Sequence, residues 1–169
     1  MYAPPSYIPV IVAGGNGSGN ALNQLHLPES ICVDNDGNMY IGNGGNNRIL
    51  KWPVGAAAGT LLITGLPTNW NLNPFFPANS IFSMQDLYLD KQGKLYLLDM
   101  YAMRVQMWDA NSSNWINMFT DMFTSTGMYG YQNTMQGMAF NKDMNLYVPS
   151  SSSLKSTMHS ISCTRRSSL

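Results

Sequence analysis

Two segments of this chain, residues 31–52 and 87–108, carry the same landmark residues in the same order. Every matched pair is separated by 56 positions, as from 34 to 90, and neither segment contains an insertion. The matched residues are Asp34 and Asp90, Gly37 and Gly93, Tyr40 and Tyr96, Arg48 and Arg104, and Trp52 and Trp108. A fixed period of this length is typical of folds that stack one supersecondary unit on the next. The sequence therefore predicts a repeat architecture.

A third, weaker copy of the unit follows in residues 136–149, at a spacing of 51 positions from the second copy. The aligned residues are Asn141 with Asp90 and Tyr147 with Tyr96, and the same spacing beyond residue 149 sets Ser150 on Asp99 and Lys155 on Arg104. Residues 150–169 are rich in serine, so two interpretations stay open for them. They are either a degraded continuation of the third unit or a disordered low-complexity tail.

Each unit has the pattern of short β-strands joined by tight turns. In the first unit the apolar runs are ICVD, NMYIG, RILKW and TLLIT. Gly37, in the turn between the first two runs, supplies the positive φ that a tight hairpin needs. Helical periodicity is absent, and about four short strands per unit indicate an antiparallel meander repeated as propeller blades. The predicted fold is therefore all-β: a partial, open β-propeller of about three four-stranded antiparallel blades.

The predicted organisation of the chain follows the repeat. Residues 1–26 are a leading outer strand (residues 8–13) with a linker, 27–81 the first blade, 82–130 the second, 131–149 the start of a third, and 150–169 the tail. An open propeller has two unpaired edges, which favour edge-to-edge association. Three explanations are open for a propeller with so few blades: a fragment of a longer gene product, a self-complementing oligomer, or an open arc on its own. The fragment is the favoured explanation.

The repeat resembles a known family, the NHL repeat, over nearly the whole chain to Val148. The match is carried by Pro28, Asp34, DGNMYI and NNRILKW in the first unit, and by GKLYLLD and RVQMW in the second. The resemblance implies an NHL-type propeller, which usually closes with about six blades. It also implies that the matched landmark residues have structural roles.

One repeat position departs from the family pattern. The Asp that follows the second strand is Asn43 in the first unit and is kept as Asp99 in the second. We expect that carboxylate to pair with the repeat Arg, because a guanidinium fits a carboxylate well. Asp99 should then pair with Arg104, whereas Arg48 must find a neutral partner.

The stretch DNDGN could be a cation site, since Asp34, Asp36 and Asn38 alternate as the ligands of a calcium loop do. The chain continues without further oxygen ligands, and the equivalent stretch of the second unit contains Lys91 and Lys94, which would repel a cation. We therefore interpret DNDGN as a hairpin turn, with no metal.

Catalytic residues are not predicted. Only His26, in a linker, and His159, in the tail, could serve as bases, whereas nucleophilic catalysis needs a His beside a Ser or Cys. Zinc sites need three or four clustered His or Cys residues. No cofactor is expected, and the chain is not expected to be an enzyme.

A group of Met and aromatic residues after Trp108 is a candidate partner surface, or alternatively an outer strand and loop that pack on the blade. Its members are Met118, Phe119, Met122, Phe123, Met128 and Tyr129. Residues 1–149 contain six basic and nine acidic residues, a net charge of −3, which argues against RNA because phosphate binding needs clustered Lys and Arg. The leading hypothesis is a non-catalytic binding or scaffold module that contacts protein or glycan through propeller-face loops, or that self-associates through its open edges. An RNA-binding NHL propeller and the remnant of an NHL-type metal-dependent lyase are the alternatives.

The compartment stays open. No segment reaches the roughly 18 apolar residues of a membrane span, and the N-terminus lacks the basic region of a signal peptide. Sequons at Asn16 and Asn111 are compatible with an extracellular protein. Cys32 lies in an apolar run and is interpreted as a buried free thiol.

Overall fold

The structure, a computed structural model, describes residues 8–64, 84–99, 104–109, 114–119, 134–135, 137–151 and 156–161. These residues form twelve strands and one short 3-10 turn, Gly44–Asn46. The strands are β1 (Pro28–Val33), β2 (Met39–Asn43), β3 (Arg48–Trp52), β4 (Thr60–Thr64), β5 (Met84–Leu89), β6 (Leu95–Asp99), β7 (Arg104–Asp109), β8 (Asn114–Phe119), β9 (Thr134–Met135), β10 (Ala139–Phe140), β11 (Leu146–Ser151) and β12 (Ser156–Ile161). Within these ranges no helix has the length and apolar character that a membrane span requires.

The strands form three antiparallel sheets in chain order. The first sheet has the order β1-β2-β3-β4 and the second β5-β6-β7-β8. In the third sheet, β9 and β10 both pair with β11, which in turn pairs with β12. β9 and β10 are the two halves of one inner strand, interrupted where β1 and β5 each have a bulge.

A shared turn joins the first two strands of every sheet. The side-chain Oδ1 of the residue that precedes the turn accepts two backbone N–H bonds of 2.8–3.0 Å from the residues two and four positions later. This acceptor is Asp34 in the first sheet, Asp90 in the second and Asn141 in the third. The residue three positions after this acceptor has a positive φ, which is 82° at Gly37, 79° at Gly93 and 61° at Met144.

The sheets stack face to face, and the core lies between them. Between the first and second sheets the buried residues are Ile49, Ile63, Met84, Leu87, Leu95, Leu97 and Trp115. Between the second and third sheets they are Leu98, Val105, Leu146 and Val148. On the remaining side of the first sheet, Met39, Ile41, Leu50 and Trp52 pack against Ala13, Leu25 and Ala56. The ring of Phe140 lies 4.6 Å from that of Tyr88, which extends the second contact to the inner strands.

Successive four-stranded antiparallel sheets, stacked in chain order with their inner strands adjacent, are the blades of a β-propeller. The predicted fold class, a partial and open β-propeller of about three blades, is confirmed. The sheets are called the first, second and third blade below.

Two details of the sequence prediction are wrong. Residues 8–13 were expected to form a leading strand, but they have no strand pairing. A strand needs a neighbour for its backbone groups, and Pro9 removes one of the donors. The second detail is the pairing of Lys155 with the Arg position: the register of β11 and β12 sets Ser150 opposite Thr157. The ladder of β11 and β12 has one pair more, Ser151 opposite Ser156, than the ladders of the other blades, which end at Asn43 opposite Arg48 and Asp99 opposite Arg104.

Candidate interaction surface

The carboxylate of the repeat Asp accepts hydrogen bonds from residues of its own blade. Asp34 Oδ2 accepts a 2.9 Å bond from Asn38 Nδ2 and a 3.5 Å bond from the Tyr40 hydroxyl, and it lies 3.9 Å from Lys51 Nζ. The bond from the Asn38 side chain first, and then the backbone bonds from Asn38 and Asp36 and the charge of Lys51, hold the pKa of Asp34 below its usual value. In the second blade the Tyr96 hydroxyl donates to Asp90 Oδ2 at 3.2 Å. The carboxylates therefore close hairpin turns.

Arg48 binds the linker that precedes the first blade. Its Nη1 donates to the carbonyl oxygen of Asn20, and its Nη2 donates to those of Ala21 and Gln24 at 2.9 and 3.1 Å. Burial lowers the pKa of this guanidinium. Its neutral partners are thus backbone carbonyls of a loop more than 20 positions away.

Asn43, opposite Arg48 in the β2–β3 register, also holds the linker. Its Oδ1 accepts a 2.7 Å bond from the backbone N–H of His26, and the residue is fully buried. In the second blade the same two positions form an ion pair, with Arg104 Nη2 3.3 Å from Asp99 Oδ2 and both side chains buried. Burial lowers the pKa of Arg104, and the Asp99 carboxylate opposes that shift.

The repeat tryptophans pack within their own blades. Trp52 is buried, and its Nε1 donates a 2.9 Å bond to the carbonyl of Ala56, in the connection between β3 and β4. Trp108 is half-buried and meets Trp115 edge to face, with ring centroids 5.4 Å apart. Both side chains stabilise the outer part of a blade.

The linker contains a Ser–His pair that was not predicted from the sequence. Ser18 Oγ lies 2.7 Å from His26 Nδ1. Around it, Asn16 Nδ2 donates to the carbonyls of Gly14 and Asn23, and Gln24 Nε2 donates to that of Asn16. The pair belongs to a network that joins the two ends of the linker, and its members are exposed. Eight positions separate Ser18 from His26, and no periodicity of a strand or helix links them.

The first strand exposes apolar side chains that are more buried at the same repeat positions of the second blade. Ile31 is 56% exposed, whereas Leu87, 56 positions later, is 4% exposed. Val33 is also 56% exposed, whereas its counterpart Leu89 is half-buried. Ile31 and Val33 lie opposite Ile41 and Met39 in the sheet, and directly opposed residues of an antiparallel pair share a face. We call this side of the first blade, with Ile31, Val33 and Leu61, the open face.

The leading segment, which contacts the first blade at Ala13, also exposes apolar side chains. Ile8, Val10, Ile11 and Val12 are between 63% and 82% exposed. A run of exposed apolar side chains is a candidate interaction site, whereas a single exposed apolar residue is not. The open face and residues 8–12 together are the candidate interaction surface.

Four of the six residues of the partner surface expected from the sequence lie outside the described residues: Met122, Phe123, Met128 and Tyr129. Met118 is half-buried on β8, and the backbone of Phe119 pairs with Val105. This expectation therefore stays a prediction.

No protein-family model matches this sequence, and no curated protein matches it. Among solved structures, the crystal structure of selenomethionine-substituted virginiamycin B lyase from Staphylococcus aureus aligns at 12% identity with a TM-score of 0.45, over 82% of this chain and 42% of that one. A streptogramin B lyase structure aligns at 8% identity with a TM-score of 0.44, over 82% of this chain and 41% of that one. The chain thus spans about two fifths of the length of these structures. The fold assignment above rests on the sheets and core clusters of this chain itself.

Proposed function

We propose that this chain is a non-catalytic protein-interaction module of the NHL type, and that it binds protein through the open face. The observation that carries the proposal is the exposure of Ile31 at a repeat position whose counterpart in the second blade, Leu87, is buried. An exposed apolar face bordered by polar turns is a surface that another protein can cover.

The NHL assignment is supported by the roles of the matched residues. Asp34 and Asp90 close their turns, Tyr96 donates to its Asp, and Arg104 lies against Asp99. A repeat Asp, Tyr and Arg that brace their own blade agree with a family whose consensus residues are structural.

The binding role has a direct test with a matched pair of variants. A partner isolated from the source extract is identified, purified and titrated calorimetrically against the wild type, Val33→Lys and Val54→Lys. Val54 is a suitable control because it is 66% exposed, close to the 56% of Val33, but lies in the connection between β3 and β4. We expect about tenfold or greater loss of affinity for Val33→Lys and none for Val54→Lys. Equal affinity in all three proteins would contradict a binding role for the open face.

The competing functions are tested separately. The purified chain is incubated with a streptogramin B antibiotic, with and without a divalent cation, and the substrate is followed by mass spectrometry. We expect no turnover, and cation-dependent loss of the substrate would replace the proposal by the lyase alternative. Salt-dependent binding of an RNA by residues 1–149, whose net charge is −3, would favour the RNA-binding alternative.

A further inference from the structure

The chain contains two Asn-Gly pairs, Asn16-Gly17 in the linker and Asn43-Gly44 in the first blade, and a glycine also precedes each of them. An asparagine followed by glycine loses its side-chain amide readily, because a residue without a Cβ lets its backbone nitrogen reach the side-chain carbon of the asparagine. The two pairs have the same local chemistry, so a difference in their reactivity has to come from the structure around them.

The structure protects Asn43-Gly44 at the groups that this reaction uses. Asn43 is fully buried, and its Oδ1 accepts a 2.7 Å bond from the backbone N–H of His26. The backbone N–H of Gly44 donates a 3.1 Å bond to the carbonyl oxygen of Leu27. The attacking nitrogen is thus held by the chain ahead of β1, and Asn43 reacts only after this end of the blade opens.

Asn16-Gly17 lacks this protection within the part of the chain that the structure describes. Both residues are exposed, and the backbone N–H of Gly17 donates to none of the described carbonyls. A Cβ placed on Gly17 would meet no atom within 4 Å among those residues. The side chain of Asn16 is held only by exposed bonds of 3.2 Å from its Nδ2 to the carbonyls of Gly14 and Asn23. Exposed loop bonds of this kind open at little cost in free energy.

We propose that Asn16 is a site of spontaneous deamidation, which changes the linker covalently while Asn43 stays intact in the folded blade. The Gly17 nitrogen loses its proton to base and forms a bond to Asn16 Cγ, the bond from Cγ to Nδ2 breaks, and ammonia leaves. Water then opens the cyclic imide to aspartate or isoaspartate, so the net reaction consumes water and releases ammonia. The reaction is independent of the proposed function, because it uses neither the open face nor a partner.

The product changes the bonds that join the two ends of the linker. The Nδ2 of Asn16 donates to one carbonyl near each end, whereas an aspartate has no donor and directs a negative charge at the same oxygens. Residues 19–24 keep their own bonds to the first blade, from Asn46 and Arg48. Deamidation is therefore expected to weaken the attachment of residues 14–17 and to leave the rest of the linker in place.

The experiment stores the wild-type chain at mildly alkaline pH and locates each deamidated residue by tandem mass spectrometry of its peptides. In the folded protein, Asn16 is expected to convert about tenfold or more faster than Asn43, whose reaction requires opening of the blade. In urea, where both pairs are unfolded, the two rates should become equal. Gly17→Ala should slow the conversion of Asn16 and leave that of Asn43 unchanged, because the added Cβ hinders the attacking nitrogen.

The effect on the linker is measured by hydrogen exchange of residues 14–17 in Asn16→Asp, which has the aspartate product in place from the start. Faster exchange than in the wild type is expected. Asn20→Asp is the matched control, because it makes the same change of charge at an exposed linker residue that contacts Arg48 only through its backbone carbonyl. This control should exchange residues 14–17 as the wild type does.

The other outcomes overturn the inference. Conversion of Asn16 and Asn43 at equal rates in the folded chain would show that the structure does not distinguish the two pairs. An Asn16 that converts in urea but not in the folded chain would show that the linker protects it. Exchange of residues 14–17 that is the same in Asn16→Asp and the wild type would contradict the proposed effect on the linker.

Discussion

Asn43 and Asp99 occupy one repeat position but have different partners. Asp99 faces the buried Arg104 at 3.3 Å, whereas Asn43 accepts from the backbone of His26 and leaves Arg48 to the linker carbonyls. Asn43 Nδ2 and Arg48 Nε are buried donors for which the described part of the chain offers no hydrogen-bond acceptor. The first blade therefore uses both side chains to hold a linker, and the second uses them to brace two of its own strands.

This difference predicts opposite effects of reciprocal substitutions. Asp99→Asn removes the carboxylate charge beside the buried guanidinium of Arg104 and should lower the free energy of unfolding by about 3 kcal/mol. Asn43→Asp replaces a donor that lacks an acceptor by a carboxylate oxygen opposite Arg48, and should raise it by about 1 kcal/mol. Urea unfolding followed by circular dichroism measures both. A loss of stability in Asn43→Asp would contradict the account of Arg48.

Cys32 provides a chemical test of packing at the inner strand. Burial first, and then the carboxylates of Asp86 and Asp34, raise the pKa of the thiol from 9.0 to about 12. In a Cys163→Ser background, the folded protein at pH 8 should react with a disulfide reagent on the order of 1,000-fold more slowly than the urea-unfolded chain. Equal rates would show that the inner strand is not packed as described.

The same shift has a defined effect on stability. The folded thiol keeps its proton at a pH where the unfolded thiol has lost it, so the unfolded state binds fewer protons between about pH 9 and pH 12. The contribution of Cys32 to stability is therefore complete below pH 9 and is lost as the pH rises toward 12.

At the residue scale, the interactions that form within one repeat unit could be predicted from the sequence. The hairpin Asp positions, the Asp99–Arg104 pair and the need of Arg48 for a neutral partner all follow from the aligned units. The identity of that partner could not be predicted, because residues 20–24 are irregular and their path depends on hydrogen bonds of Asn16 and Gln24.

At the scale of the element, the first turn of each blade shows how the repeat decays. Gly37 and Gly93 reach positive φ without a Cβ, whereas the third blade places Met144 at a φ of 61°. A left-handed conformation costs an ordinary residue roughly 1–2 kcal/mol. The third blade thus carries backbone strain that the first two avoid.

Met144→Gly should therefore stabilise the chain by about 1 kcal/mol, since the relief of strain exceeds the added freedom of glycine in the unfolded state. Gly93→Met is the reciprocal control and should destabilise the second blade by a similar amount. Thermal unfolding of the two variants and the wild type gives the comparison. A melting temperature for Met144→Gly below that of the wild type would contradict the assigned turn.

Strand positions were predictable wherever alternation and turn residues agree, as in β1 to β4. Residues 8–13 show the limit, because an apolar run predicts a strand only if a neighbour supplies the other half of the ladder. The additional pair of Ser151 with Ser156 in the ladder of β11 and β12 shows another limit, since the spacing of the repeat alone placed Lys155 where the register places Thr157.

At the scale of the whole molecule, the described residues leave apolar side chains uncovered on the first and the third blade. The packing that buries Leu87 in the second blade leaves Ile31 exposed in the first, and Ala139 and Pro149 are exposed on the third. The number of blades could be predicted from the number of repeat units. The group that covers the exposed side chains of the first and third blades could not be predicted, because it lies outside these repeat units.

The most direct test of the open face is the affinity of a purified partner for the wild type and for Val33→Lys, measured by isothermal titration calorimetry. Binding through this face predicts an affinity about tenfold or more lower for Val33→Lys, and an unchanged affinity for Val54→Lys. Equal affinities of the wild type and Val33→Lys would contradict it.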